Sequence, residues 1–141
     1  MKVLLLGATG TLGSRITPAL LSHQHQVVVF VRSENKLKET LPPSILSKVA
    51  VVTGDATDSN AILETLVNHD CDAFVNSAGQ SNVFPWQAPR MQEIINAVAT
   101  AGVEASKKLN HPMRGWFLGG LTAMCVHLEA VFTQRRHHFQ L

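Results

Sequence analysis

Three glycines near the start of the chain have a spacing that suits phosphate binding. Gly7, Gly10 and Gly13 form a G-x-x-G-x-x-G pattern directly after an apolar run. Such a turn needs glycine for a tight reversal, for close approach of the backbone to pyrophosphate, and for close packing of the next helix. A helix N-terminus adds free N–H groups and the positive end of the helix dipole. The alternative is an ordinary strand-to-helix turn. The residues predicted to bind a nucleotide in this loop are Gly7, Thr9, Gly10, Thr11, Leu12 and Gly13.

Two basic residues form a second candidate group. Arg32 directly follows the apolar run at residues 27–31, and Lys36 stands close behind it. In dinucleotide-binding folds, an acidic residue here accepts a hydrogen bond from the ribose 2′-OH, whereas a basic residue accommodates a 2′-phosphate. The planar fork of arginine matches phosphate well, so we expect NADP in preference to NAD. The alternative is that Arg32 and Lys36 are exposed charges at the start of a helix, where they would oppose its dipole.

Small residues follow another apolar segment further along the chain. Ser77, Ala78 and Gly79 come directly after residues 72–76. In an open parallel sheet, ligands bind outside the carboxyl ends of the strands, where the strand order reverses. That point lies between the first and fourth predicted strands. We therefore expect Ser77, Ala78 and Gly79 to face the ribose and nicotinamide side of a dinucleotide.

The elements that must position these residues alternate between strands and helices. The runs at residues 3–6 and 27–31 are apolar without alternation, as expected for parallel strands buried on both faces. The predicted strands are 3–6, 27–31, 48–55, 72–76 and 114–118, and the predicted helices are 11–21, 35–41, 59–68 and 91–101. Pro42 and Pro43 are expected to break the second helix, Asp58 to cap the third, and Gly102 to end the fourth. This order predicts an α/β fold, a doubly wound parallel (Rossmann) sheet of about five strands in the order 3-2-1-4-5 with helices on both faces.

Four motifs together carry a family resemblance. GATGTLG, VFVRS, VTGDATD and VNSAG occur in the order found in the NAD(P)-binding half of the short-chain dehydrogenase/reductase superfamily. The chain resembles its atypical and extended members, NmrA-like regulators and small NADPH-dependent flavin or biliverdin reductases, from Met1 to about Gly120. The resemblance implies a Rossmann fold and a nicotinamide cofactor, and it places Asp55 and Ala56 beside the adenine ring. Relatives commonly have glycine at the exit of the first helix, where this chain has Gln24.

The catalytic pattern of that family is incomplete here. In the family, a serine or threonine after the fifth strand is followed by Tyr-x-x-x-Lys, in which tyrosine donates a proton and lysine lowers its pKa. The chain contains no tyrosine. Thr122 stands in about the serine position, and His127 is an alternative acid or base near neutral pH. His127 fits equally well on the outward side of a helix over residues 123–132. A substrate-binding portion of similar size is also missing, so we expect a relative shortened at its C-terminus.

Composition narrows the functional classes further. The chain has 141 residues and a formal charge of +2, which suits one domain over residues 1–141 without the basic face of a nucleic-acid-binding protein. The apolar segments are too short for a signal peptide or a membrane span. Cys71 and Cys125 lie far apart in apolar surroundings and are expected to be free buried thiols of a cytoplasmic protein. His23 and His25 have no third ligand nearby, so we predict solvated turn residues and no metal site.

Two functions from different classes fit these features. The first is an NADPH-dependent reductase of a small acceptor such as a flavin or quinone, where the cofactor supplies the hydride chemistry. The second is a non-catalytic module that senses NADP(H) or binds a protein partner. Phe84 and Trp86 either lie at the mouth of the cleft or cover the sheet edge. The fifth strand is expected to leave an unpaired edge, which favours association. We therefore expect a homodimer.

Overall fold

The computed structural model of the chain describes residues 1–79 and 88–118. Within these residues, the strands are β1 Lys2–Leu6, β2 Gln26–Val31, β3 Val49–Thr53, β4 Ala73–Asn76 and β5 Arg114–Phe117. The helices are α1 Gly13–Ser22, α2 Glu34–Thr40, α3 Pro43–Leu46, α4 Ser59–Asn68 and α5 Ala88–Leu109. The strands form one parallel sheet in the order β3-β2-β1-β4-β5. This arrangement confirms the predicted Rossmann-like α/β fold.

The strand order reverses beside β1, which therefore lies at the centre of the sheet. Leu6, the last residue of β1, pairs with Phe30 of β2 on one side and with Asn76 of β4 on the other. The carboxyl ends of these three strands consequently meet at one edge of the sheet. The loops that follow them are placed around a common crevice, as expected for a doubly wound sheet.

Each face of the sheet buries a separate apolar cluster. On one face, α4 and α5 contribute Ile62, Leu66 and Val98, which pack against strand residues that include Leu4 and Phe74. On the other face, α1, α2 and α3 cover strand residues of the opposite parity. The buried members of this second cluster are Leu5, Ala8, Val27, Val29, Val31, Leu37 and Leu41. Successive side chains of β1 and β2 point to opposite faces of the sheet, and helices cover both faces. These strands are therefore apolar at every buried position.

The prediction that Gly102 ends its helix is wrong, because α5 continues to Leu109. Gly102 is buried, and a Cβ atom at this position would lie 2.6 Å from Cε1 of Phe74. The glycine therefore allows close packing of the helix on the sheet. Interior glycine costs about 1 kcal/mol of helix stability relative to alanine, which this contact with Phe74 can offset. The helix ends instead before Asn110, which has a φ angle of +55°.

The second helix ends before the two prolines, as predicted, and the second proline begins another helix. The helix ends at Thr40, and Pro43 is the first residue of α3, a short helix that the sequence analysis did not predict. Pro42 adopts an extended conformation with φ −66° and ψ 152°. Proline suits the first turn of a helix because its missing N–H has no intrahelical partner there.

The exit of α1 forms a regular helix cap without glycine. The N–H of Gln24 donates to the carbonyl of Leu21, and the N–H of His25 donates to the carbonyl of Leu20, which is the Schellman hydrogen-bond pattern. Gln24 has a φ angle of +62°. Gln24 therefore adopts the left-handed turn conformation that glycine reaches most easily, at some cost in backbone energy. His23 is exposed and His25 is half-buried at this turn.

Candidate functional site

The glycine loop is built on direct backbone contacts. Gly7 has a φ angle of +85°, which side chains disfavour, and a Cβ atom there would overlap the backbone of Ser77 and Ala78. The N–H of Gly10 donates to the carbonyl oxygen of Gly7 at 3.0 Å, which closes the turn. A Cβ atom at Gly13 would overlap that same carbonyl oxygen. Gly7 and Gly13 are therefore required by the close approach of β1, α1 and the loop after β4.

The N-terminus of α1 has no side-chain cap. The residue before the helix is Leu12, which makes no capping hydrogen bond, and the first turn contains no acidic residue. The first N–H groups of a helix have no intrahelical acceptor, so an uncapped terminus can bind an anion from outside the helix. This end of α1 directly follows the glycine loop. The N–H groups of Ser14 and Arg15 already donate to the carbonyl oxygens of Gly10 and Leu12, so an anion here would be bound by the N–H groups of residues 11–13.

One cavity of about 250 Å³ lies over the carboxyl ends of the strands. It brings together ten of the cofactor-binding residues predicted from the sequence, which are Gly7, Thr9, Gly10, Arg32, Lys36, Asp55, Ala56, Ser77, Ala78 and Gly79. The other three of that set, Thr11, Leu12 and Gly13, do not line it. Thr11 and Leu12 have exposed side chains, whereas Gly13 is buried under the loop. Their role in cofactor binding stays a prediction.

Arg32 and Lys36 enter the cavity from the carboxyl end of β2. Arg32 follows the last residue of this strand, and Lys36 lies in the first turn of α2, which begins after the cap residue Ser33. The hydroxyl oxygen of Ser33 accepts a hydrogen bond from the N–H of Lys36 at 3.3 Å. This hydrogen bond caps the first turn of α2, which contains Lys36. It thereby fixes the position of Lys36 close to Arg32 in the chain. Both cationic side chains are exposed to the cavity and to solvent.

Asp55 follows β3, the strand that pairs with β2. Its Oδ1 atom accepts from the backbone N–H of Thr57 at 2.9 Å and from the Thr57 hydroxyl at 2.8 Å. Its Oδ2 atom accepts from Nη2 of Arg90 at 3.3 Å. These two Thr57 donors, and the nearby Arg90 and Arg32 guanidinium groups, hold the pKa of Asp55 below its usual range. The carboxylate is therefore ionised, with one oxygen used by its own loop.

The loop after β4 is tied to the end of β1. Both the backbone N–H and the hydroxyl of Ser77 donate to the carbonyl oxygen of Leu6, at 2.9 and 2.7 Å. The buried side chain of Asn76 accepts from the N–H of Ala78 at 3.1 Å through its Oδ1 atom. These bonds place Ser77, Ala78 and Gly79 at the wall of the cavity opposite Asp55.

Five cavity residues were not found by the sequence analysis, namely Phe30, Val31, Gly54, Arg90 and Ile94. A Cβ atom at Gly54 would overlap the ring of Phe30, so this glycine allows the loop after β3 to pass over the ring. The sequence contains a signal for Gly54, which stands beside Asp55 at the end of a predicted strand. Arg90 has no comparable local signal, because it reaches the cavity from the first turns of α5.

Several candidates lie outside the described residues. They are the proposed catalytic residues Thr122 and His127, the aromatic residues Phe84 and Trp86, and Cys125. Cys71, the other cysteine, is a free and buried thiol, and burial raises its pKa to about 11. Across residues 1–79 and 88–118, no helix is long and apolar enough to cross a bilayer.

Comparison with known proteins identifies the family of this chain. A family model described as NAD(P)H-binding matches residues 7–106. The match begins at the first glycine of the loop, directly after β1, and extends through β2, β3 and β4 into α5. The chain belongs to the NAD(P)H-binding family. No curated protein matches the sequence of this NAD(P)H-binding protein.

Solved structures share the fold of this NAD(P)H-binding protein. Serine dehydrogenase from Escherichia coli is 21% identical with a TM-score of 0.65, and the match covers 82% of this chain and 61% of that chain. The enzyme WbmG from Bordetella bronchiseptica, crystallised with NAD, is 21% identical with a TM-score of 0.63, covering 82% and 36%. A UDP-glucose 4-epimerase from Thermotoga maritima is 16% identical with a TM-score of 0.63, covering 82% and 37%. The NAD(P)H-binding chain thus spans 36% to 61% of the length of these proteins.

The charges of the cavity fit the cofactor of the NAD(P)H-binding family. Among the described lining residues, Arg32, Lys36 and Arg90 are cationic, whereas Asp55 is the single carboxylate. A nicotinamide dinucleotide carries a negatively charged pyrophosphate, which the uncapped α1 terminus and the backbone of the glycine loop can bind. Glycine at positions 7 and 10 leaves that backbone accessible. The residues present therefore fit a dinucleotide laid across the carboxyl ends of the strands.

Proposed function

We propose that this protein binds NADP(H), with the adenosine half on the β2 and β3 side of the cavity and the nicotinamide on the β4 side. The observation that carries this proposal is the position of Arg32 and Lys36, both of which enter the cavity at the end of β2. In dinucleotide folds this end meets the adenosine ribose, where a basic side chain accommodates a 2′-phosphate. Asp55 follows β3 instead of β2, and its carboxylate oxygens already accept hydrogen bonds from Thr57 and Arg90. NADP is therefore favoured over NAD.

The preference is tested by titrating NADPH and NADH against the unchanged chain and the Arg32→Ala variant. We expect the unchanged chain to prefer NADPH and the variant to lose this preference by roughly tenfold or more, as a charge-assisted phosphate contact is removed. Lys38→Ala is the matched control, because Lys38 is a nearby cationic residue on α2 that pairs with Glu34 and does not line the cavity. An unchanged NADPH preference in Arg32→Ala would overturn the phosphate assignment.

A reductase activity is the catalytic form of this proposal. In this proposal the loop at Ser77, Ala78 and Gly79, which lines the cavity, faces the nicotinamide end, where a flat acceptor such as a flavin or quinone would bind. Hydride transfer to such an acceptor needs a held cofactor more than a tyrosine acid, since the cofactor supplies the chemistry. Thr122 and His127 stay candidates for proton transfer. This is the activity expected of a relative of the small NADPH-dependent flavin reductases.

The non-catalytic alternative is a sensor of NADP(H), as in NmrA-like regulators. It is favoured by the lack of tyrosine in the chain. Oxidation of NADPH with a panel of flavins and quinones separates the two functions. Turnover above the protein-free rate supports the reductase, whereas tight NADPH binding without turnover supports the sensor. A cytoplasmic location and a homodimer belong to the same proposal, and the buried, free Cys71 thiol suits a reducing compartment.

A further inference from the structure

The start of α5 reaches across the cavity and contacts both of its sides. Arg90 forms an ion pair with Asp55 after β3, with Nη2 of Arg90 3.3 Å from Oδ2 of Asp55. Met91, the next residue, lies beside the loop after β4, where a Cβ atom at Gly79 would come within 2.9 Å of its Cε. The ion pair therefore links two segments 35 residues apart in the sequence. Arg90 lies on the side of the cavity that the proposed function gives to the adenosine half.

The surroundings of Arg90 have the shape and chemistry of a site for a flat base. The walls next to Asp55 are small, since they consist of Gly54 and Ala56, and the ring of Phe30 lies under Gly54. A planar ring can enter this space without meeting a bulky side chain from β3. The guanidinium group of Arg90 is itself planar, and arginine stacks on aromatic faces through cation–π and dispersion contacts.

The two carboxylate oxygens of Asp55 have different partners, and one of them holds Arg90 in place. Oδ1 is occupied by the N–H and hydroxyl of Thr57, which fix the carboxylate on its own loop. Oδ2 is directed to Arg90. The side chains of Arg90 and Asp55 are 45% and 47% exposed, so the pair lies at the open side of the cavity and not in the core. An exposed ion pair adds little to folding stability. We therefore expect this pair to matter more for ligand binding than for stability.

We propose that Arg90 is an adenine-binding residue of the cofactor site, whose guanidinium plane packs against the adenine base while Asp55 fixes its position. This inference rests on the proposed function, because it assigns a role within the same dinucleotide site. It differs from the role of Arg32, which concerns the 2′-phosphate. Arg90 acts on the base that NADP(H) and NAD(H) have in common, so its loss weakens both dinucleotides by the same factor.

The experiment measures the affinities of Arg90→Ala for NADPH, NADH and nicotinamide mononucleotide. We expect a loss of roughly threefold to thirtyfold for both dinucleotides, the range of a partly desolvated cation–π contact, and no change for the mononucleotide, which lacks adenine. Arg90→Lys keeps the charge without the planar fork and is expected to restore only a small part of the affinity. Arg114→Ala is the control, since Arg114 is an exposed arginine at the amino end of β5. Circular dichroism establishes that each variant is folded.

Each alternative role of Arg90 has a distinct outcome. A loss confined to NADPH would make it a 2′-phosphate ligand, and full rescue by lysine would make it a charge contact to the pyrophosphate. Either result overturns the inference, as does unchanged affinity in Arg90→Ala. Unchanged affinity in a chain that binds NADPH leaves the proposed function intact. Failure of the unchanged chain to bind any dinucleotide would instead overturn the proposed function, and the inference with it.

Discussion

The hydroxyl of Ser77 donates a hydrogen bond to the carbonyl oxygen of Leu6 across a distance of 2.7 Å. Leu6 ends β1 and Ser77 directly follows β4, at the point where the strand order reverses, and the two residues are 71 positions apart in the sequence. Ser77 was expected to face the ribose and nicotinamide side of a dinucleotide. It does line the cavity, but its hydroxyl hydrogen is used to join the two loops that form the crevice. Its contribution to the site thus includes holding those loops together.

Ser77→Ala is expected to lower the free energy of unfolding by about 1 kcal/mol, the typical value of a partly buried neutral hydrogen bond. Ser47→Ala is the control, because the Ser47 hydroxyl makes an exposed bond to Ser44 within one helical turn. That variant should stay within about 0.5 kcal/mol of the unchanged chain. Urea unfolding followed by circular dichroism measures both. Equal effects of the two substitutions would contradict a structural role for the Ser77 bond.

Gly13→Ala is expected to disrupt the glycine loop, since the added Cβ atom would overlap the carbonyl oxygen of Gly7. Backbone must move to relieve this overlap, at a cost of roughly 1–3 kcal/mol or more. Gly10→Ala is the comparison, because its Cβ atom would lie 3.3 Å from the same oxygen and needs a smaller shift. In thermal unfolding, Gly13→Ala should be less stable than Gly10→Ala. In NADPH titration, Gly13→Ala should bind the cofactor more weakly than Gly10→Ala. The reverse order of stability would refute the packing argument.

Gln24→Gly is expected to stabilise the protein by about 1 kcal/mol, because glycine adopts a positive φ angle without the strain that a Cβ atom introduces. The gain is the balance between this relief and the larger chain entropy of glycine in the unfolded state. Gln24→Ala removes the same side chain but keeps the Cβ atom, so it should leave the stability nearly unchanged. The two denaturation midpoints are measured side by side. A midpoint for the glycine variant no higher than that of the alanine variant would exclude this explanation.

The stability contributed by Asp55 is expected to depend on pH. Its pKa is lowered in the folded protein, first by the Thr57 N–H and hydroxyl and then by Arg90 and Arg32. The stabilisation is therefore fully present above the ordinary aspartate pKa of about 4, and it is lost as the pH falls through the lower pKa of the folded state. The difference in unfolding free energy between the unchanged chain and Asp55→Asn should shrink below about pH 4. A difference that is the same at pH 7 and pH 3 would contradict this assignment.

Association through a sheet edge is the remaining prediction. In the part of the sheet that the structure describes, β3 and β5 are the outer strands, and Val51 and Trp116 on them are each 37% exposed. Unpaired strand edges favour pairing with another chain. We expect a homodimer through the β5 edge, measured by size-exclusion chromatography with light scattering. A monomer at high protein concentration would count against it.

Much of the architecture could be read from short-range patterns. Asp58 was predicted to cap the helix after β3, and its Oδ1 atom accepts from the N–H groups of Asn60 and Ala61 at 3.0 and 3.1 Å. The unbroken apolar runs of β1 and β2 predicted strands buried on both faces, and their side chains are buried. Capping and periodicity depend on residues within a few positions of one another, so they are visible in the chain itself.

The prediction failed where a residue is explained by a contact with a distant segment. Gly102 has the usual residue type for a helix end, yet it lies inside α5 because Phe74 of β4 occupies the space beside it. Arg90 has no nearby motif, and its role in the cavity follows from the approach of α5 to Asp55. Side-chain contacts of this kind depend on how helices pack on the sheet, which no local pattern specifies.

In the glycine loop, some features follow from the local sequence and others depend on tertiary contacts. Spacing was sufficient to predict a phosphate-binding turn, because the requirement for glycine between a strand and a helix is local. The tertiary structure assigned separate tasks to its members, since Gly10 borders the cavity whereas Gly13 is buried against the carbonyl of Gly7. It also joined Ser77 to Leu6 and Arg90 to Asp55. The backbone conformation of the loop follows from its sequence, but the walls of the cavity come from segments that meet only when the sheet has formed.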